Sequence, residues 1–294
     1  MLMGDILELN AIKYPNKVAL VTDDDRSFTF TELRDRSTRL ANALRGLAGD
    51  GDRIAILAEN IIEYVDAYYG VPTANMALVF LNYRLNPHEL AWITNDADAK
   101  VLLVERQFLE AMMNVRAEFP KVQHIVVIGD ASGLQGVISY DDLVGGASTA
   151  PLPRPTEDDI AWQLYTSGTT GRPKGAMLTH HSLTAGVDMS IDAGRVAADD
   201  VYVFPFPLCH VAGYNLIVMH LHGRPVVLVR RFDADEFIAL TVEHRVTNTS
   251  LAPTMVSSLL EHPGATPEAL ASLRQIAYGS ASIPPEVLRR AMQR

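Results

Sequence analysis

Tyr165-Thr166-Ser167-Gly168-Thr169-Thr170-Gly171-Arg172-Pro173-Lys174-Gly175 packs three glycines, three threonines, a serine and a lysine into eleven residues. Glycines let backbone N–H groups approach an anion closely, hydroxyls add donors, and Lys174 adds a fixed positive charge. An apolar run, Ile160 to Leu164, precedes the stretch, and a second, Ala176 to Leu178, follows it. Thr166 to Gly175 therefore reads as an exposed polar loop between two strands, and its natural ligand is a polyphosphate. It is not a G-x-x-x-x-G-K-[ST] loop. Counted from Gly168, Pro173 stands at the second glycine position and Gly175 follows Lys174. The competing reading is a Thr/Gly-rich surface hairpin without a ligand.

Strand-like and helix-like segments alternate on both sides of the loop. Arg53 to Leu57 reads as a strand, Asn60 to Gly70 as a helix, and Met76 to Leu81 as another apolar run. Asn86-Pro87 opens a helix, with Asn86 as cap and Pro87 in the first turn. The β-branched runs Val101 to Val104 and His124 to Ile128 flank a helical pattern from Gln107 to Phe119. Gly129 to Asp158 is richer in Gly, Pro, Ser and acidic residues. With Pro151 to Pro155 it reads as a connection leading to the strand that carries the loop. After the loop, His181 to Ile191, Asp233 to His244 and Pro253 to Glu261 are helical, and Pro284-Pro285 opens a last helix. Val201 to Phe204, Val226 to Val229, Thr249 to Leu251 and Gln275 to Tyr278 are strand-like. This rhythm predicts an α/β fold with largely parallel sheets flanked by helices.

A chain of 294 residues suffices for one large domain or two ordinary ones. Hydrophobic content of 48% and charged content of 20% are those of a globular protein. A net charge of −10, with no Lys/Arg run, argues against a nucleic-acid surface. The single cysteine, Cys209, excludes an internal disulfide and fits a reducing compartment. Met1 to Asn10 lacks a basic n-region, and no apolar run approaches the ~20 residues that span a bilayer. The expectation is a cytoplasmic protein without a transmembrane segment.

The loop string as a whole resembles the phosphate-binding signature of the AMP-forming adenylating enzymes, which include acyl-CoA synthetases, luciferases and the adenylation domains of peptide synthetases. Phe28-Thr29-Phe30-Thr31-Glu32-Leu33 and Leu81-Asn82-Tyr83-Arg84-Leu85 resemble that superfamily's early "ytYxeL" and "iNxRL" segments. Phe206 to Gly213 resembles "PlfHxxG", Leu251 to Met255 "vPTm", and Tyr278 to Ala281 the "GgA" turn. The Phe-Pro-Leu-x-His segment is similar to acyl- and aryl-CoA synthetases. Two departures fall at Ala74-Asn75, where a glycine is usual, and at Cys209, where an aromatic is common. The "YGxTE" and ribose-binding "TGD" segments of full-length relatives are not in this sequence. The resemblance thus implies one truncated AMP-binding N-terminal domain over residues 1–294, with the C-terminal domain absent.

The resemblance implies ATP-dependent activation of a carboxylic acid, a fatty acid above all, through an acyl-adenylate to an acyl-CoA. ATP, Mg2+ and coenzyme A are the implied cofactor and co-substrates. Thr166 would sit beside the magnesium ion. Ser167, Gly168, Thr169, Thr170, Gly171 and Lys174 would join it around the ATP phosphates. His210, Gly279, Ser280 and Ala281 would line the acyl and adenine pocket. No catalytic residue is assigned, because the family draws its adenylation lysine from the missing part, and the chain by itself is expected to be inactive. The alternative is a non-catalytic nucleotide- or acyl-binding remnant or interaction module. Self-association through an exposed apolar face is expected as well.

Other candidates are weighed against plainer roles. His210 could equally be a core-edge histidine bonded to backbone. His180-His181 reads as an exposed helix start. A zinc site from His210, His220 and His222 is disfavoured, because paired cysteines and H-x-x-x-H spacing are missing. Trp162, Met255 and Leu259-Leu260 read as core, and Asp23-Asp24-Asp25 as a solvated turn between two strands.

Overall fold

Short β-branched runs build the sheets, and the segments between them supply the helices. The computed structural model describes residues 1–166, 173–193, 196–279 and 281–293. Its strands are β1 (Val18–Thr22), β2 (Ser27–Thr29), β3 (Arg53–Leu57), β4 (Ala77–Phe80), β5 (Ala99–Glu105), β6 (His124–Ile128) and β7 (Ile138–Ser139). They continue with β8 (Ile160–Thr166), β9 (Lys174–Thr179), β10 (Tyr202–Phe204), β11 (Val226–Leu228), β12 (Asn248–Leu251) and β13 (Gln275–Tyr278). The helices are α1 (Met3–Lys13), α2 (Phe30–Leu44), α3 (Ile62–Thr73), α4 (Pro87–Asp96), α5 (Arg106–Asn114) and α6 (Tyr140–Gly145). They continue with α7 (His180–Ala193), α8 (Tyr214–Leu221), α9 (Ala234–Glu243), α10 (Pro253–Glu261) and α11 (Pro285–Gln293).

One sheet runs β13-β12-β10-β11-β1-β2 and the other β7-β6-β5-β3-β4-β8-β9. All neighbouring pairs are parallel except the β1–β2 and β8–β9 hairpins. The expected mostly parallel architecture is therefore observed. Alternation along each strand sets the layers. In β3, Ile54 and Ile56 face one core while Ala55 and Leu57 face another. In β11, Val226 and Leu228 join the same central core as Ile54, and Val227 points away into a third. The central core thus lies between the sheets and contains α2, α3 and α8. Helices α4 and α5 cover the outer face of one sheet, and α9 and α10 that of the other.

Helix α3 is apolar on most of its faces, which lets it lie buried between the sheets. Its one buried carboxylate, Asp66, is held by Arg36 of α2, through Nε–Oδ1 at 3.0 Å and Nη2–Oδ2 at 2.6 Å, and by the Tyr140 hydroxyl at 3.1 Å. Helices α2 and α4 start with reciprocal capping boxes, Thr29 with Glu32 and Asn86 with Glu89. The departure at Ala74-Asn75 has a backbone reason: Asn75 takes φ 60°, where glycine or asparagine is tolerated.

Several boundaries differ from the sequence reading. Helices α1 and α8 are additional to it. Residues 129–158, read as a connection, contain β7 and α6, the latter capped by Ser139 accepting from the Asp142 N–H. Helix α3 begins at Ile62 and runs through Pro72, which lies in its last turn. No helix among the described residues is long and apolar enough to cross a membrane.

Candidate functional site

The hairpin β8–β9 presents the loop. Its register pairs Tyr165 with Gly175 and Thr166 with Lys174, so the last paired residues of the two strands face each other across it. The ends of the expected loop, Thr166 and Lys174 with Gly175, are thus strand. Both Thr166 and Lys174 are exposed, and neither has a side-chain partner among the described residues. Ser167, Gly168, Thr169, Thr170 and Gly171 lie outside the described residues, as does Ser280.

The arm leading into the loop is fixed from below. The Tyr165 hydroxyl donates to Asp96 Oδ2 at 2.6 Å and accepts from Gln163 Nε2 at 3.1 Å. Burial, and then the Asp96 carboxylate, push its pKa up. Gly175 leaves room for this ring: a Cβ there would lie 2.7 Å from Gln163 Nε2 and 2.9 Å from Tyr165 Cζ, so one of them would have to shift. Trp162 is fully buried core, as expected.

The remaining candidates also follow the carboxyl ends of parallel strands. β8 is parallel to β4, so Thr166 stands at the carboxyl end of a parallel strand. His210 follows the carboxyl end of β10, and Gly279 and Ala281 follow that of β13. The carboxyl ends of parallel strands are where open α/β sheets bind ligands. Gly279 and Ala281 are exposed, and a Cβ on Gly279 would meet nothing within 4 Å.

Asn60, which the sequence reading placed only at a helix start, joins the two sheets. Its buried amide donates to Phe206 O at 2.7 Å and Val229 O at 2.8 Å, and its Oδ1 accepts from the Leu208 N–H at 2.7 Å. The Leu208 carbonyl in turn accepts from the Tyr68 hydroxyl. These bonds hold the segment that carries His210. Beside them, Glu59 accepts from Arg230 and Arg231, and Glu105 from Arg230, again linking one sheet to the other. Arg84 and Arg231 lie 5.9 and 6.0 Å from the Tyr83 ring centre, and Tyr83 stacks on Phe108.

His210 is exposed, and its ring has no hydrogen-bond partner among the described residues, unlike a backbone-bonded core-edge histidine. Partial burial and the nearby Arg84 guanidinium lower its pKa. The reading of His180-His181 is half corrected. His181 is exposed, whereas His180 is 1% exposed because α1 packs over it, and its Nδ1 accepts the Met3 N–H at 3.1 Å. Burial lowers the His180 pKa to about 4. His220 is bonded at both nitrogens, to Tyr69 Oη and Ala19 O, so it has no lone pair left for zinc. Leu259 and Leu260 are core, with Met255 partly buried against them. A cavity of about 590 Å³ lies between α1, α2 and Pro151–Pro155, and an apolar one of about 400 Å³ under β13 and α11. Neither is lined by Thr166, Lys174 or His210.

Two linked, mostly parallel sheets, with a hairpin whose arms end at Thr166 and Lys174 beside the carboxyl end of β4, define an open α/β class of fold. Residues 7–294 match the family described as AMP-binding enzyme, and the chain belongs to that family. It is 32% identical, over 98% of its length, to a long-chain-fatty-acid–CoA ligase of Thermus thermophilus, of which it covers 54%. It is 30% identical, over 92% of its length, to the fatty acid–[acyl-carrier-protein] ligase ScoC of Streptomyces coeruleorubidus, covering 51% of it. The crystal structure of the anthranilate CoA ligase AuaEII with anthranoyl-AMP superimposes with a TM-score of 0.94 at 27% identity, over 100% of this chain and 57% of that one. The chain spans about half the length of the curated relatives it matches.

Proposed function

We infer that this chain is the nucleotide- and acid-binding part of an AMP-forming acid–thiol ligase. In that reaction a carboxylate attacks the α-phosphate of ATP, giving an acyl-adenylate and pyrophosphate, and a thiol then displaces AMP. Coenzyme A is the thiol on this reading. The acid is of the fatty or aryl class, in keeping with the relatives' names.

The observation that carries the reading is the β8–β9 hairpin. It sets an ammonium, Lys174, opposite a hydroxyl, Thr166, at the carboxyl end of a parallel strand, neither with a side-chain partner among the described residues. That donor set fits a polyphosphate and its counter-ion. Thr166 would hold magnesium, which when bound neutralises phosphate charge. Ser167, Gly168, Thr169, Thr170, Gly171 and Lys174 would grip the phosphates. His210, Gly279, Ser280 and Ala281 would line the acid and adenine pocket, with Asn60 fixing the His210 segment. Two further elements belong to the same reading. A cytoplasmic setting is supported by the one buried thiol, Cys209. Self-association would use β13, an edge strand on which Ile276 and Tyr278 are 40% and 48% exposed.

Calorimetry with ATP on the wild type and Lys174→Ala tests the assignment. Loss of one charge-assisted contact should weaken binding by roughly one to two decades. Equal affinity in the two proteins would overturn it.

A further inference from the structure

The β1–β2 turn lies against the C-terminal end of α9. Asp25 of the turn, Glu243 at the end of α9 and its C-cap His244 each offer one ligand atom, and these atoms all lie within 4.8 Å of one another. Asp24 takes the neighbouring Arg26. Asp25 and Glu243 have no ion pair among the described residues. His244 is half-buried, and its Nε2 is fully covered without a hydrogen-bond partner. A covered ring nitrogen without a partner is unfavourable unless something binds it.

The surroundings add negative charge. Two carboxylates this close repel each other, and a helix C-terminus carries partial negative charge.

We propose that Asp25, Glu243 and His244 form a site for a zinc-class divalent ion that clips the β1–β2 turn to the end of α9. One imidazole and two carboxylates suit zinc or manganese, whereas calcium and magnesium take all-oxygen sets. Bonds of roughly 2.0–2.2 Å require the ligand atoms to draw together by about an ångström. The exposed Asp25 and Glu243 side chains can supply this by torsion. Water completes the shell.

Titration of the chelator-stripped 294-residue chain with Zn2+ at neutral pH should show one micromolar-class site, and saturation should raise the thermal midpoint. His244→Ala and Asp25→Asn should each weaken that site at least ~10-fold. His88→Ala, at an exposed imidazole beside Glu118, should leave it unchanged. Glu243→Gln, at an exposed position, keeps the test open should His244→Ala fail to fold. Mg2+ and Ca2+ should bind at least ~10-fold more weakly than Zn2+. Zinc affinity unaltered in the folded Asp25, Glu243 and His244 variants, a preference for Mg2+ or Ca2+, or no site tighter than ~100 μM in the wild type would overturn the proposal.

Discussion

Lowering the pH from 7 to 5 should destabilise this chain through His220. The ring is fully buried, with Nδ1 2.9 Å from Tyr69 Oη and Nε2 3.0 Å from Ala19 O. A carbonyl only accepts, so Nε2 carries the proton and Nδ1 accepts from the tyrosine. Burial lowers the pKa of this ring from 6.5 to about 4. Between those values the unfolded chain binds a proton that the folded chain refuses. The stability contributed by the neutral ring is therefore complete above pH 6.5 and is lost as pH falls toward 4. The gap corresponds to about 3 kcal/mol in full, and about 2 kcal/mol between pH 7 and pH 5. His180 acts in the same sense, whereas Asp66, whose pKa burial raises, gains stability as pH falls. A comparison of wild type with His220→Asn isolates the one ring. Urea unfolding at each pH, followed by tryptophan fluorescence, gives stability against pH. The slope between pH 6 and pH 5 should be smaller in the variant by roughly 1 kcal/mol per pH unit. Parallel curves would refute the argument.

Two further outcomes are expected at the hairpin and the sheet junction. Gly175→Ala drives a methyl into Gln163 and Tyr165 and should cost about 1–3 kcal/mol; an unchanged thermal midpoint would show that the ring moves aside freely. Asn60→Ala leaves Phe206 O, Val229 O and the Leu208 N–H without their partner. It should cost about 3 kcal/mol and speed hydrogen exchange at Leu208, and wild-type protection there would count against a latching role.

The sheets were legible because their strands are short, β-branched and bounded by turn residues, as in Arg53–Leu57 and Gln275–Tyr278. Helix α1 was within reach, since Met3, Ile6, Leu7, Asn10 and Ala11 recur at helical spacing and are its buried residues. Helix α8 was not, because a short segment apolar on most sides has no period to read. The hairpin followed from composition and flanking runs. The linking residues did not, because their partners are remote: Asn60 bonds carbonyls 146 and 169 residues away, and His180 is covered by a helix 177 residues earlier. Asp25 does lie in an exposed turn between β1 and β2, as read, but its nearness to Glu243 and His244 arises only through the fold.

The position of β1 inside its sheet has a consequence for the order in which this chain can be made. β1 pairs with β2 nearby, but its other edge belongs to β11, with Leu20 set against Val226, 206 residues later. A ribosome adding about 5–20 residues per second leaves that edge of β1 without its neighbour for roughly 10–40 s. The seven-stranded sheet needs only residues 53–179 and can be complete by then. The fold therefore closes backwards: its first strands are among the last to be seated, and until β11 emerges the β1–β2 hairpin carries an open apolar edge that a nascent-chain chaperone, or another nascent copy, can reach.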